Sequence, residues 1–340
     1  MTRSDTILKY IVDYFIKNAQ PVGSHTLIDE YKLPYSSATI RNEMFALEKM
    51  GYIEKTHSSS GRVPSTKGYK YYCEYLRDKT VDEELKNSLQ VVLEQKMQSI
   101  EEVIKESCEI LSHMTNLVSV VTGRNENEEK LANVQVIQIG ENTLTAVFVT
   151  DKGYVENKTF IIPNTIKSEE VVQCVKILNE RLTGTPVSEL VEKMQALKPI
   201  LNDYVVSHDI VYQALLETFL RFAGDRLSLY GREELFNQPE FKNDTEKLKE
   251  VFKLLNNKSV FKNLPSEEDD KVSVNIGETN PDVSMITTKF KIGDGEESTI
   301  TLLGPTRMDY DKVLSALEYL TEELNKYFDD LNKGGNGSDA

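Results

Sequence analysis

The chain has 340 residues, of which 39% are hydrophobic and 28% charged, a balance typical of a folded protein with two or three domains. No segment approaches the roughly 20 consecutive apolar residues of a membrane span, and the polar N-terminus lacks the apolar centre of a signal peptide. We therefore expect a cytoplasmic protein without membrane contact. Cys73, Cys108 and Cys174 are far apart in the sequence, which argues against structural disulfides and against a cysteine-based metal site.

The net charge of −15 is distributed unevenly along the chain. Residues 1–78 hold 11 Lys/Arg and 9 Asp/Glu, whereas the remaining residues hold 29 and 46. Residues 55–72 contain four basic residues and no acidic one. A local cationic stretch on an acidic protein is what a phosphate-binding surface requires. Charge alone is equally compatible with a solvated basic surface that binds nothing.

Residues 1–78 predict three helices followed by a β-hairpin. Apolar residues recur at helical spacing over residues 4–18, and Ser24 can N-cap a second helix that ends near residue 31. A third helix begins at Ser36 or Ser37 and runs to residue 50. Short β-type runs on either side of a small polar loop at residues 56–61 predict the hairpin, and one more helix follows it.

The third predicted helix has two different faces. Ile40, Met44 and Leu47 share one face and should pack on the first two helices. Arg41 and Asn42 lie on the opposite face, together with Ala38 and Phe45. Arg can bind guanine and Asn can bind adenine through paired hydrogen bonds in the major groove of DNA. A purely structural alternative is that Arg41 forms an ion pair with Glu43 or Glu48 on the surface.

The hairpin loop and the helix after it extend the same predicted surface. A small, polar, cationic loop can lie against a sugar-phosphate strand, and hydroxyl groups at the start of the third helix can reach phosphates. A lone histidine in such a loop is more often simply solvated, and Tyr69 can equally belong to the core. The predicted DNA-binding residues are Ser36, Ser37, Ala38, Thr39, Arg41, Asn42, Phe45, His57, Ser60, Gly61, Arg62, Lys67, Tyr69 and Lys70.

The rest of the chain predicts an α+β domain that is interrupted by an insertion. One long or broken amphipathic helix covers residues 84–120. Two groups of three β-type runs follow, at 134–162 and at 272–303, and a mainly helical stretch separates them. The predicted boundaries are 1–78 for the DNA-binding domain, 84–182 and 272–332 for the two parts of the α+β domain, 183–271 for the insertion, and 333–340 for a disordered tail.

An ordered series of motifs resembles the heat-inducible transcription repressor family, HrcA. The first motifs are Pro21-Val22-Gly23-Ser24, the segment Ser36 to Met44, Gly61-Arg62-Val63-Pro64-Ser65 and Gly68-Tyr69-Lys70-Tyr71-Tyr72. Further motifs are Asn237-Gln238-Pro239-Glu240-Phe241, Ile276-Gly277-Glu278 and the segment Gly304 to Tyr310. The motifs run from residue 21 to residue 310, so the resemblance covers nearly the whole chain. Two details depart from the family pattern: the loop sequence after His57, and Phe45, where a small residue is common.

The resemblance implies a multidomain α+β protein with a winged helix-turn-helix, a GAF-like domain and an inserted, mainly helical dimerizing domain. It implies a repressor of chaperone operons that binds an inverted-repeat operator called CIRCE as a homodimer, with the GroEL chaperonin supporting its activity. The tentative dimer-interface residues are Leu215, Leu216, Phe219, Leu220 and Phe222, although each can simply be core.

Two alternative classes of function are less well supported by the sequence. A GAF-like domain can hold a small molecule, but the β-type runs contain no distinctive ligand-binding motif. No nucleophile–base motif such as GxSxG or HExxH occurs, and the four histidines lie in unrelated contexts. We therefore expect neither an enzyme nor a protein with a metal or cofactor.

Overall fold

A computed structural model describes residues 1–56, 61–95, 100–123, 129–151, 153–164, 168–204, 212–213, 216–217, 227–242, 244–257, 260–261, 264, 272–292 and 296–335. The chain divides into two compact units. The first unit combines Met1–Thr122 with Leu227–Ala340, and the second is Gly123–Arg226. A continuous segment of the chain is therefore inserted into a discontinuous unit.

The first unit begins with the predicted three helices and hairpin. The elements are α1 (Arg3–Asn18), α2 (Ser24–Tyr31), α3 (Ser37–Lys49), β1 (Ile53–Lys55), β2 (Arg62–Pro64) and α4 (Thr66–Tyr71), which continues into a π-helical turn at Tyr72–Leu76. Thr2 caps α1, because its hydroxyl accepts a hydrogen bond from the backbone of Asp5 and the Asp5 carboxylate accepts one in return. Helix α2 differs from the prediction, because its N-cap is Gly23 rather than Ser24 and no side chain caps it.

The remaining helices and strands follow in chain order. They are α5 (Glu83–Leu93), α6 (Ile100–Thr115), β3 (Val118–Thr122), β4 (Leu131–Gln138), β5 (Thr143–Thr150), β6 (Val155–Ile161), α7 (Ser168–Leu182), α8 (Leu190–Tyr204), β7 (Leu227–Tyr230), α9 (Pro239–Lys242), α10 (Thr245–Asn256), β8 (Ser273–Ile276), β9 (Val283–Ile292), β10 (Glu296–Pro305) and α11 (Tyr310–Gly335). Short 3-10 helices cover Val187–Glu189 and Arg232–Asn237.

A five-stranded antiparallel sheet forms the centre of the first unit within the described residues. The strand order is β7-β3-β10-β9-β8. Phe290 and Ile300 face a core shared with α6 and α11, whereas Val120 and Met285 face a second core with Phe241. Both faces of the sheet are covered, so its strands are nearly continuous runs of buried residues.

The second unit contains a separate three-stranded antiparallel sheet with the order β4-β5-β6. Val134, Ala146 and Phe148 on one face pack against Cys174 and Leu178 of α7. The opposite face bears no charged residue on the three strands, and we call it the uncharged sheet face. It consists of Asn133, Gln135, Ile137, Thr143, Thr145, Val147, Val149, Val155, Asn157, Thr159 and Ile161.

The structure corrects the predicted domain boundaries. Strands β4, β5 and β6 pair with one another and belong to the insertion, so the boundaries 183–271 and 84–182 are wrong. The insertion is Gly123–Arg226, because β7 pairs with β3 and returns the chain to the first sheet. Residues 1–78 also group with the rest of the first unit instead of forming a separate compact body.

Two smaller expectations also change. The helix predicted at 84–120 ends earlier, because Val118–Thr122 is a strand. Its β-branched residues pair with β10. Helix α11 extends to Gly335, so the predicted tail begins too early, and residues 336–340 lie outside the described part of the chain.

None of the helices in the described residues has the length and apolar content needed to span a membrane. In the same part of the chain, no group of three His, Cys, Asp or Glu side chains is placed to hold a metal ion.

Candidate nucleic-acid interface

Helix α3 is held by one apolar face. Ile40, Met44 and Leu47 are buried, and they share a core cluster with Ile11 of α1 and Leu27 of α2. This is the predicted buried face, so the helical spacing of apolar residues identified the orientation of α3 correctly. The opposite side of the helix is consequently turned towards solvent.

The exposed face of α3 carries the predicted base-reading residues. Ala38, Arg41 and Asn42 are exposed, and Phe45 is 64% exposed. No hydrogen bond or ion pair within the described residues involves the side chain of Arg41 or Asn42. An arginine and an asparagine are therefore available side by side on a protruding helix, which is the chemistry needed to bind base edges.

The acidic neighbours of Arg41 are occupied by other partners. The Glu43 carboxylate accepts a hydrogen bond from the Ser4 hydroxyl at 2.6 Å and lies 3.5 Å from the Arg3 guanidinium. The Glu48 carboxylate lies 2.7 Å from the Arg62 guanidinium. The structural alternative for Arg41, an ion pair with Glu43 or Glu48, is therefore not formed.

The three predicted hydroxyl groups at the start of α3 are engaged within the protein. The Ser36 hydroxyl caps the helix by accepting a hydrogen bond from the Thr39 backbone N–H at 3.1 Å, and it lies 2.9 Å from the Thr39 hydroxyl. The hydroxyl groups of Ser37 and Ser24 are 2.9 Å apart. Hydroxyl groups can donate and accept at the same time, so these contacts do not prevent a further bond to a phosphate oxygen.

The hairpin is joined to the segment between α1 and α2. In the register of β1 and β2, Lys55 lies opposite Arg62. The backbones of Val22 and Arg62 exchange two hydrogen bonds of 2.9 Å. Gly61 is buried against Pro21, and a Cβ atom on Gly61 would lie 2.7 Å from the Pro21 Cβ. His57 and Ser60, which were predicted to contact DNA, lie outside the described residues.

Arg62 was predicted to contact DNA, but in the structure its side chain is held against the protein. Its side chain is 13% exposed and donates hydrogen bonds from Nε and Nη2 to Glu48 at 3.0 and 2.7 Å. Two charge-assisted bonds fix the side chain against α3. The geometry gives Arg62 a structural role: it connects the second hairpin strand to α3.

Tyr69 is a core residue, so the expectation that it lies on the DNA-binding surface is wrong. It is 3% exposed, and its ring centroid is 5.3 Å from that of Tyr310. Burial raises the pKa of the Tyr69 hydroxyl well above its ordinary value. Lys70, the next residue of α4, is exposed.

The two predicted phosphate-binding lysines of α4 have partners within the protein. The Lys67 ammonium donates a hydrogen bond to the carbonyl of Met50 at 2.9 Å and lies 4.5 Å from the centroid of the Tyr52 ring. The Lys70 ammonium forms an ion pair with Glu278, which lies just after β8. Both lysines are exposed, and exposed ion pairs contribute only about 0–1 kcal/mol.

Two further lysines near this face are exposed: sequence reasoning missed Lys49, and it included Lys55 only as part of the cationic stretch 55–72. Lys49 is in the last turn of α3, eleven residues after Ala38 and on the same face, and Lys55 ends β1. Neither forms an ion pair with another described residue. The helical spacing of Ala38, Arg41, Asn42 and Phe45 already pointed to Lys49, because positions four apart share a face.

The N-terminal elements are firmly packed on the rest of the first unit. The Arg77 guanidinium forms an ion pair with Glu318 of α11 and donates a hydrogen bond to the Ser315 hydroxyl at 3.3 Å. The Arg307 guanidinium donates to the carbonyl of Ile16 in α1 and forms a 2.7 Å ion pair with Glu240. These contacts connect the end of α1 and the residue after the π-helical turn to the rest of the first unit.

One predicted dimer-interface residue lies within the described part of the chain. Leu216 is partly buried against the core of the second unit. Leu215, Phe219, Leu220 and Phe222 lie outside the described residues.

Comparison with known proteins gives two strong similarities. The family model described as the HrcA protein C terminal domain matches residues 101–314. A curated relative, the heat-inducible transcription repressor HrcA of Halalkalibacterium halodurans, is 36% identical over 332 residues, which are 96% of this chain and 96% of the relative. A solved structure described as a hypothetical protein at 2.2 Å resolution covers 97% of this chain and 99% of its own, with a TM-score of 0.63 and 24% identity.

The extent of these matches places the chain among transcription repressors rather than among enzymes. The sequence match to the curated repressor covers 96% of the chain, so it includes helix α3 and both compact units. The chain belongs to the HrcA family. The resemblance read from the sequence motifs is thereby confirmed, and the solved structure shows that the mixed α+β fold has been observed before.

Proposed function

We propose that the chain represses transcription by binding double-stranded operator DNA through its N-terminal segment. In this proposal residues 1–78 act as a winged helix-turn-helix, with α3 in the major groove and the β1–β2 hairpin as the wing. The observation that carries the proposal is the exposed face of α3, where Arg41 and Asn42 have no partner among the described residues.

The charge distribution supports this orientation. The exposed side chains on the face of α3 between residues 38 and 49 include two basic residues and no acidic one, although the whole chain has a net charge of −15. An acidic protein can approach a polyanion only through a locally cationic surface. Lys49 and Lys55 flank the base-reading residues and are suited to phosphate contacts.

We further propose that the operator is the inverted repeat called CIRCE and that a homodimer binds it. An inverted repeat matches a two-fold symmetric protein whose DNA-reading helices are spaced by whole turns of the duplex. The second unit is the candidate dimerizing domain. The uncharged sheet face supports this assignment, because two copies of a strongly acidic chain associate with least repulsion through a surface without charges.

Regulation by the GroEL chaperonin and by heat is the remaining part of the proposal. The curated relative is named a heat-inducible repressor, and the family resemblance implies that GroEL supports repression of chaperone operons. A repressor of this kind works in the cytoplasm. The five-stranded sheet with helices on both faces is compatible with a GAF-like domain, and the proposal requires no ligand in it.

Footprinting of the full-length protein on promoter DNA, with and without chaperonin, tests this proposal. We expect a protected inverted repeat upstream of a chaperone operon, with stronger protection when chaperonin is present. Arg41→Ala should reduce the preference for that site. Protection that is independent of sequence, or unaffected by Arg41→Ala, would contradict the assignment of α3 as the recognition helix.

A further inference from the structure

Phe45 is a large apolar side chain in the middle of a solvent-facing helix surface. It is 64% exposed, although removing a phenylalanine side chain from water stabilises a folded protein. A single exposed apolar residue is common on protein surfaces and identifies no site by its exposure alone. The informative property of Phe45 is its position relative to the polar residues of α3.

Phe45 continues the stripe of exposed residues that contains the proposed base contacts. It lies four residues after Arg41 and seven after Ala38, so all three project from the same face of α3. Lys49 lies one further turn along and is also exposed. A ligand that contacts Arg41 and Lys49 at the same time must therefore pass over the Phe45 ring.

The chemistry of the ring limits what it can recognise in DNA. A phenyl group forms no conventional hydrogen bond and carries no charge, so it cannot bind phosphate oxygens or the polar edges of bases. In the major groove the distinctive apolar group is the C5-methyl of thymine, and apolar side chains, Phe among them, contact it. Helix α3 rises about 6 Å between residues 41 and 45, so the two side chains reach different base pairs.

We propose that Phe45 reads a pyrimidine C5-methyl group at a base pair near the one bound by Arg41. This inference rests on the proposed DNA-binding function and adds a specificity determinant to it. The ring displaces water from the methyl group when the complex forms. A thymine at that position of each half-site is therefore preferred over a pyrimidine without the methyl group.

Replacement of thymine by uracil tests the inference, because uracil lacks only the C5-methyl group. The probe is a duplex selected from a random-sequence library by the full-length protein, with each thymine changed to uracil in turn. For the unmodified protein, replacing the contacted thymine in one half-site should weaken binding about fourfold. Replacing it in both half-sites should weaken binding about fifteenfold. Fourfold corresponds to about 0.8 kcal/mol, the value for one apolar carbon group removed from water.

The variant Phe45→Ala should bind the thymine and uracil duplexes equally well. Phe236→Ala, at another exposed phenylalanine that is 51% exposed, serves as the matched control and should keep the preference for thymine. Equal weakening of Phe45→Ala and the unmodified protein by every uracil would overturn the proposal. If Phe45→Ala binds both duplexes more weakly than the unmodified protein by the same factor, it keeps the preference for thymine, and that result would overturn the proposal too. Failure to select any duplex would instead refute the proposed function.

Discussion

Replacement of Arg41 by alanine should weaken operator binding without changing the stability of the fold. The Arg41 side chain is exposed and makes no hydrogen bond or ion pair with the described residues, so its truncation breaks no contact that stabilises the protein. Alanine is also at least as favourable as arginine in a helix. The free energy of unfolding should therefore change by less than about 0.5 kcal/mol.

The expected loss of binding follows from the chemistry of a paired arginine–guanine contact. Such a contact contributes about 1–3 kcal/mol of discrimination, which corresponds to about a 5- to 150-fold loss of affinity for one half-site. Binding to random DNA should hardly change, because that binding comes from phosphate contacts. The slope of affinity against salt concentration should stay the same, whereas Lys49→Ala should reduce it by about one.

Arg62→Ala is the matched control for this prediction. The Arg62 side chain is 13% exposed, and its Nη2 atom lies 2.7 Å from the Glu48 carboxylate. Removal of the guanidinium should therefore lower the free energy of unfolding by about 1–2 kcal/mol. Fluorescence-anisotropy titrations on operator and random duplexes, together with urea unfolding, separate the two effects. If Arg41→Ala leaves the ratio of operator to random binding unchanged, α3 does not read bases through Arg41.

Three further predictions concern other parts of the chain. Glu278→Gln removes the ion-pair partner of Lys70 and should strengthen DNA binding about two- to fivefold in the same titrations. Ile161→Lys places a charge on the uncharged sheet face, where Ile161 is 76% exposed, and should convert dimers to monomers in light-scattering measurements. Burial raises the pKa of the Cys73 and Cys174 thiols to about 12, so iodoacetamide at pH 8 should label them only after unfolding.

Two of these predictions have a matched control variant, and two have a result that contradicts them directly. Glu297→Gln removes the partner of Lys289 at 3.2 Å on the central sheet and should leave DNA affinity unchanged. Val172→Lys, at a residue of α7 that is 57% exposed, should leave the oligomeric state unchanged. A dimeric Ile161→Lys variant would rule out the uncharged sheet face as the interface. Rapid labelling of Cys73 in the native protein would show that its environment opens.

The N-terminal elements were predictable because their signals are local. The spacing of Ile40, Met44 and Leu47 identified the buried side of α3, and a serine cap marked its start. The role of Arg62 could not be predicted in the same way. Its partner, Glu48, is fourteen residues away, and the contact exists only because the hairpin folds back on α3. Tertiary packing, which local patterns do not encode, decides between an anchoring and a DNA-binding arginine.

The domain boundaries were harder to predict because strand pairing is non-local. Alternating apolar residues identified β4, β5 and β6 as strands, but the alternation does not specify which strands pair. The missed strand β3 provides the missing connection, since it pairs with β10 and β7 across more than 100 residues. Without β3, two groups of three strands looked like two halves of one sheet.

Contacts within the first unit connect helix α3 to the central sheet. Arg307, which follows β10, donates to the C-terminal end of α1, and α1 packs directly against the buried face of α3. The Lys70–Glu278 pair connects α4 to the turn after β8. The position of the exposed α3 face is therefore set partly by residues far from it in the sequence.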